Sequence, residues 1–97
     1  MAAIEVLNPV AKTVEHSVAP AARPADLDGL TIGLYWNMKA GGDAALDRTE
    51  AVLRQRYPKV GFRRYTGSVG FIMRHCTDDD ADRIAKEVRA VVGTTND

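Results

Sequence analysis

Apolar positions change their spacing several times along the chain, and each change predicts a different element. Residues 30–36 are a short apolar run with β-branched and aromatic side chains, which predicts a strand buried on both faces. Residues 45–57 place apolar side chains at helical spacing and predict an amphipathic helix. Asp43 is suited to cap this helix at its amino terminus, and Pro58 ends it.

The second half of the chain repeats this order. Residues 60–65 alternate roughly between apolar and polar side chains, which predicts a second strand. Thr77 and the three aspartates after it predict the start of a second helix, because a hydroxyl cap and acidic side chains suit a helix amino terminus. Residues 71–74 are apolar but short and predict a turn or a helical packing segment. Residues 90–95 fit either the end of the second helix or a third buried strand, and the alternation of elements favours the strand.

Strands that alternate with helices imply parallel βαβ units. The predicted fold class is therefore α/β: a small, incomplete Rossmann-like βαβαβ half-domain with a short parallel sheet, formed by residues 30–97. Such a half-sheet needs cover on both faces and is normally completed by further strands. We therefore expect a second protein subunit to complete it, which would make the chain part of a hetero-oligomer.

Residues 1–29 are predicted to form an extended, proline-rich arm outside that domain. Pro9, Pro20 and Pro24 lack an amide donor and bias the residues before them toward extended backbone. An arm without periodicity is either disordered or laid across a partner. Its scattered apolar side chains favour the partner, and they are Ile4, Val6, Leu7, Val10 and Val14.

Charge and cysteine content narrow the classes of function. The 97 residues carry 13 basic and 13 acidic side chains, and this balance gives no support to a nucleic acid or an anionic membrane as partner. Cys76 is the only cysteine, so no intrachain disulfide can form. His16 and His75 are the only histidines that could join Cys76 as metal ligands, and we therefore expect no metal site. No apolar run approaches a membrane span of about 20 residues, and no secretory signal opens the chain. We expect a cytoplasmic protein, and the sequence specifies no cofactor.

Polar residues follow two of the three predicted strands. Asn37, Lys39, Gly41 and Gly42 lie between the first strand and the first helix, and Thr94, Thr95 and Asn96 follow the third strand. Because ligands of α/β proteins bind at the carboxyl ends of parallel strands, we predict that these residues bind a small molecule. Lys39 and the helix amides suit a phosphate or a carboxylate, but the loop lacks the spacing of a nucleotide-binding motif. The alternative is an ordinary tight turn and a polar tail.

Three further features are better explained by structure than by chemistry. His75 and Cys76 are adjacent, and neighbouring side chains usually diverge. The aspartates at 78–80 lack the spacing of a calcium-binding loop and suit a helix start. Trp36, at the end of the first strand, either packs in a core or interface or stacks on a ligand.

Several segments, in their order and spacing, resemble the UGSC-like proteins, which are named for a selenocysteine-or-cysteine, Gly, Ser, Cys motif. The similar segments are Val-Leu-Asn-Pro at 6–9, the proline-rich stretch at 19–29, Thr-Ile-Gly-Leu at 31–34 with Asn37 and Lys39, and Leu-Asp-Arg at 46–48. Arg-Ala-Val-Val-Gly at 89–93 is similar to the family strand that leads directly into the motif, and the motif itself is absent from this chain. The resemblance therefore implies either a second polypeptide that carries the thiol motif or a precursor cleaved after Asp97.

The same resemblance implies a function. We expect the small subunit of a hetero-oligomeric enzyme of UGSC-like type, an oxidoreductase or lyase. Its loops at the carboxyl edge of the sheet would help to form a shared active site for a small organic acid or thioether. Cys76 does not occupy the position of the motif, so no catalytic residue is assigned within the chain. The alternative is a non-catalytic scaffolding or binding subunit whose sheet completes the fold of a partner.

Overall fold

The five predicted elements form in the predicted order. The computed structural model describes residues 2–71 and 74–95. Its elements are β1 (Thr31–Trp36), α1 (Gly42–Arg56), β2 (Gly61–Tyr65), α2 (Asp78–Glu87) and β3 (Ala90–Thr94). The third strand is therefore confirmed, because Val88 after α2 has an extended backbone that ends the helix. The packing segment predicted at 71–74 lies partly outside the described residues.

The three strands form one parallel sheet in the order β2-β1-β3. β1 is central, with Ile32 opposite Phe62 of β2 and Ala90 of β3. The chain winds from β1 to β2 and then back past β1 to β3, so that α1 and α2 pack on opposite faces of the sheet. This α/β arrangement confirms the predicted βαβαβ unit. It also creates a switch point between the carboxyl ends of β1 and β3, where sheets of this type bind ligands.

The main hydrophobic core lies between the sheet and α1. Ile32 and Leu34 of β1 and Leu46 of α1 are almost completely buried, and Val60 joins them from the loop before β2. Partly buried side chains surround this cluster, namely Leu27, Trp36, Leu53, Tyr57, Phe62, Ala90 and Val92. Each fully buried aliphatic side chain contributes roughly 1.5–3 kcal/mol. The cluster therefore fixes α1 on the sheet, with its amino terminus at the carboxyl ends of the strands.

A smaller core lies on the opposite face, beneath α2. Tyr65 of β2 packs there against Ile84 and Val88. A Cβ atom at Gly33 would lie 3.1 Å from the Tyr65 ring and 3.2 Å from Val88, so the glycine makes room for both. The Tyr65 hydroxyl donates to the Glu87 carboxylate at 2.6 Å. Burial and this hydrogen bond raise the pKa of Tyr65, and the same hydrogen bond lowers the pKa of Glu87.

Asp80 ties the amino terminus of α2 to the loop that follows β2. Thr77 caps the helix by accepting from the Asp80 amide at 3.1 Å, and Asp80 Oδ2 accepts from the Thr77 amide at 3.1 Å. The same oxygen accepts from the hydroxyl and the amide of Ser68 at 2.7 and 3.0 Å. Asp80 is buried, and these donors, the Ser68 hydroxyl foremost, hold the pKa of its carboxyl well below the ordinary value. The predicted helix start is confirmed, and Asp80 has a structural role in it.

Residues 2–26 form neither helix nor strand. The apolar side chains of this segment are 73–90% exposed, and they are Ile4, Val6, Leu7, Val10, Val14 and Val18. Contact with the rest of the chain begins at Leu27, which packs against the main core, and at Asp28, which accepts from the Lys59 amide at 2.9 Å. In the part of the chain that the structure describes, no helix is long and apolar enough to cross a membrane.

Replacing Asp80 with Asn should lower the stability of the fold and make that stability less sensitive to acidic pH. Because folding lowers the pKa of Asp80 below 3.8, the unfolded state binds more protons, and stability is lost as pH falls from about 4 toward the folded pKa. We expect Asp80→Asn to lower the thermal unfolding midpoint at pH 7 by several degrees and to lose less further stability between pH 5 and 3. Thermal unfolding across that range measures both effects. Asp79→Asn, at an exposed neighbour, is the control, and equal acid slopes for Asp80→Asn and the unchanged chain would contradict the prediction.

Candidate functional site at the carboxyl edge of the sheet

The turn between β1 and α1 is held by its own polar groups. The Trp36 indole Nε1 donates to the Lys39 carbonyl at 2.7 Å, and the Lys39 amide donates to Asn37 Oδ1 at 3.2 Å. Met38 between them has φ 69°, a left-handed backbone that is unusual for a residue other than glycine. The Asn37 side chain therefore shapes the loop, and it positions Lys39 directly beyond the strand.

α1 begins two residues earlier than an Asp43 cap would place it. Gly41 is the N-cap, with φ 94°, and no side chain makes a capping hydrogen bond. Its carbonyl accepts from the Ala45 amide at 3.1 Å. The prediction of Asp43 as cap is therefore wrong, because the left-handed glycine turns the chain into the helix before Asp43 is reached. Asp43 lies instead in the first turn of α1, where a carboxylate complements the helix dipole.

Gly42 joins the end of β3 to the start of α1. The Thr94 hydroxyl donates to the Gly42 carbonyl at 3.2 Å, across 52 positions of sequence. Gly42 is buried, and a Cβ atom there would lie 2.8 Å from Thr94 Oγ1 and 2.9 Å from Trp36 Cδ1. The structure thus brings the Asn37–Gly42 loop and Thr94 to one edge, as the parallel sheet predicts. Thr95 is exposed just beyond β3, and Asn96 lies outside the described residues.

A half-open cavity of about 160 Å³ lies at the same edge, on the side of β2. It is lined by Leu34, Trp36, Asp43, Leu46, Arg64, Tyr65 and Thr66. Apolar side chains of the core form much of its wall, and Asp43, Arg64 and Thr66 add polar groups. Its lining contains none of the six predicted site residues that the structure describes. Those residues border it through Trp36, whose indole is bonded to Lys39, and through Asp43, which follows Gly42.

Arg64 is held in place by α1. Its guanidinium lies 2.9 Å from Asp47 Oδ1 and 3.2 Å from Glu50 Oε2. Glu50 in turn pairs with Arg54 at 3.4 Å. These pairs fix the direction of the Arg64 side chain along the cavity and balance its charge locally. A ligand that approaches Arg64 therefore meets a guanidinium already oriented by two carboxylates.

Sequence reasoning missed Arg64 and Thr66 as lining residues. Thr66 directly follows β2, so it occupies the same edge of a parallel sheet as Asn37 and Thr94, and this position was a usable signal. Arg64 lies opposite Leu34 in the sheet register, which places it on the α1 face. The position of Arg64 in the sequence does not by itself reveal that it pairs with Leu34.

The cysteine lies on the face of the sheet that α2 covers, beside Tyr35. Cys76 is exposed in the segment before α2, on the other face of the sheet, with its Sγ 3.7 Å from the Thr77 carbonyl. Burial raises the pKa of Tyr35, and the neighbouring Cys76 and Asp80 add to this rise. His75 pairs through its backbone with Val69. Among the residues described, no three His, Cys, Asp or Glu side chains are grouped closely enough to hold a metal ion.

The parallel sheet, its switch point and the polar loops gathered beside it define an α/β domain with an accessible carboxyl edge. The chain matches the sequence model of the UGSC family over residues 5–97, and it belongs to that family. This finding confirms the resemblance that the sequence segments indicate. No curated protein and no solved structure matches the chain.

Gly42→Ala should destabilise the chain by about 1–3 kcal/mol, because the added methyl group overlaps Thr94 and the Trp36 ring. Gly61→Ala is the matched control, since a Cβ atom there meets its nearest neighbour, Thr31 Oγ1, at an ordinary 3.5 Å. Urea unfolding of both variants measures the difference. Equal stabilities would show that α1 does not pack on the strand ends as closely as described.

Proposed function

We propose that this chain is the small subunit of a hetero-oligomeric enzyme of the UGSC type, and that it forms one wall of an active site shared with a second subunit. The observation that carries the proposal is the hydrogen bond from Thr94 to the Gly42 carbonyl. It gathers the β1–α1 loop and the end of β3 at the switch point of a small, Rossmann-like sheet. In such sheets the switch point is where ligands bind.

The hydrogen bonds that the loop residues already make indicate which groups of the shared site come from this chain and which from the partner. Asn37 Oδ1 accepts from the Lys39 amide within the same turn, and the Thr94 hydroxyl donates to the Gly42 carbonyl. These groups shape a wall and supply no nucleophile, while Cys76 lies on the other face of the sheet. The proposal therefore assigns the thiol or selenol chemistry to the partner. The proposal also assigns substrate binding to Lys39, Gly41, Thr95 and Asn96.

The cavity supports a small substrate with an apolar body and a polar end. The Trp36 ring suits the apolar part, with the buried Leu34 and Leu46 behind the cavity wall, and a guanidinium and a helix amino terminus lie beside it. A small organic acid or a thioether meets this description. Reduction or lyase-type cleavage of such a substrate is the reaction class we propose, in an assembly that acts in the cytoplasm and involves neither nucleic acid nor membrane.

The partner can be tested directly. The expected partner carries a Cys- or selenocysteine-Gly-Ser-Cys motif and is encoded in a neighbouring reading frame. Co-expression of the two chains, followed by light scattering of the purified product, should give a defined complex. Failure of the two proteins to associate, with each of them folded, would overturn the subunit role.

Carboxylate binding can be tested on this chain alone, because Trp36 is its only tryptophan. Its indole Nε1–H, which is bonded to Lys39 at the cavity, gives one resolved NMR signal. We expect propionate to shift this signal saturably and propylamine to shift it less, because the Arg64 guanidinium in the lining attracts an anion. Sodium chloride at equal ionic strength is the control. Equal shifts with propylamine or chloride would contradict binding of a carboxylate.

In the assembled enzyme, Lys39→Met should lower kcat/KM by about 10- to 150-fold, the loss expected when one charge-assisted hydrogen bond to the substrate is removed. Stability should change by less than about 0.5 kcal/mol, since Lys39 is a loop residue outside the core. Lys59→Met, at the amino end of the sheet, is the matched control. Unchanged kinetics in an intact complex would favour the alternative, a scaffolding subunit that completes the fold of its partner.

A further inference from the structure

The acidic residues of α1 all lie on one face of the helix, and Asp43 is the one that does not bind Arg64. Asp43, Asp47 and Glu50 occupy positions i, i+4 and i+7, which lie above one another on a helical surface. Arg64 pairs with Asp47 at 2.9 Å and with Glu50 at 3.2 Å. The Asp43 side chain, one turn nearer the carboxyl edge of the sheet, forms no ion pair or hydrogen bond with any residue that the structure describes. Its carboxylate is therefore available at the cavity, which Asp43 lines.

Arg64 also keeps donors that the helix does not use. Asp47 and Glu50 both contact the same guanidinium nitrogen, Nη2. The other terminal nitrogen, Nη1, and Nε make no hydrogen bond within residues 2–71 and 74–95. Arg64 and Asp43 line one cavity without forming an ion pair with each other. The cavity therefore offers a cationic and an anionic group to a molecule that lies between them.

Opposite charges in one small cavity discriminate against ligands that carry a single charge. A lone carboxylate that binds Arg64 is also repelled by the Asp43 carboxylate, and a lone ammonium that binds Asp43 is repelled by the guanidinium. Each of these ligands gains one attraction and meets one repulsion. A molecule that carries both charges gains two attractions, because its ammonium faces Asp43 while its carboxylate faces Arg64.

We propose that the cavity binds a small zwitterion of the amino-acid type, with its carboxylate on Arg64, its ammonium on Asp43 and its carbon chain against the Trp36 ring. A short chain is sufficient, because one helical turn, about 5.4 Å along the axis, separates Asp43 from the Asp47 that orients Arg64. The cavity volume of about 160 Å³ also suits a molecule of few carbon atoms. This inference rests on the proposed function, since it narrows the small organic acid of that site to one with an ammonium group.

Pairs of ligands with matched shapes test the proposal on this chain. β-Alanine and butyrate differ only in an ammonium that replaces a methyl group, and so do alanine and isobutyrate. Each ligand is titrated at pH 7 and constant ionic strength against the Trp36 Nε1–H signal. We expect the tighter of the two amino acids to bind about 3- to 10-fold more strongly than its methyl counterpart, the gain from one further charged contact at a partly exposed site.

Substitutions at the two charges should act differently on the matched ligands. Asp43→Asn should weaken the amino acid and tighten its methyl counterpart, so that the preference between them disappears. Arg64→Gln should weaken both, because both place their carboxylate there. Asp82→Asn, at an exposed acidic residue of α2, is the matched control and should leave both Kd values within about twofold. Circular dichroism checks that each variant remains folded.

The outcomes separate this inference from the proposed function. Binding of butyrate and isobutyrate with no gain for either amino acid would overturn the zwitterion and leave a carboxylate site in place. A preference for the amino acid that persists in Asp43→Asn would also overturn it, because the ammonium would then bind elsewhere. No shift with any of the four ligands would overturn the inference together with the carboxylate site of the proposed function.

Discussion

The architecture of the candidate site depends on the close approach of α1 to the ends of β1 and β3. Gly42 makes this approach possible, because its missing side chain leaves room for the Trp36 ring and the Thr94 hydroxyl. Leu34 and Leu46 behind it bury the apolar surfaces that hold the helix against the sheet. The loop, the cavity and the end of β3 therefore share one rigid support. Loss of that contact would move all three together.

A second junction holds the opposite face. A single carboxylate oxygen of Asp80 accepts hydrogen bonds from Thr77 at the start of α2 and from Ser68 in the loop after β2. The arrangement is economical in a chain with few buried side chains, since one charged group positions two segments. The run of aspartates at 78–80 therefore has a structural role in place of metal binding. Asp80 is buried and hydrogen-bonded, while Asp78 and Asp79 are exposed.

Much of the fold could be predicted because its signals are local. The apolar run at β1, the helical spacing of α1 and the Thr77 cap each depend on neighbouring residues, and each is confirmed. The cap of α1 could not be predicted in the same way, because the left-handed backbone of Gly41 removes the need for Asp43. The placement of the Asn37–Gly42 loop and Thr94 at one edge could be predicted from the topology, whereas the cavity beside Arg64 depends on strand register and on side-chain directions. Those are set by packing between distant residues, so no short stretch of sequence reveals them.

The position of β1 at the centre of the sheet has a consequence for how the chain folds. β1 pairs only with strands that are remote in sequence, as the pairs Ile32 with Phe62 and Ile32 with Ala90 show. The sheet contains no hairpin that could form early on its own, so two long loops must close before the central strand is stabilised on either side. The sheet should therefore form late and cooperatively, after α1 has met β1. While it forms, the unpaired edges of β1 are briefly open, and the chain is most vulnerable to misassociation at that stage.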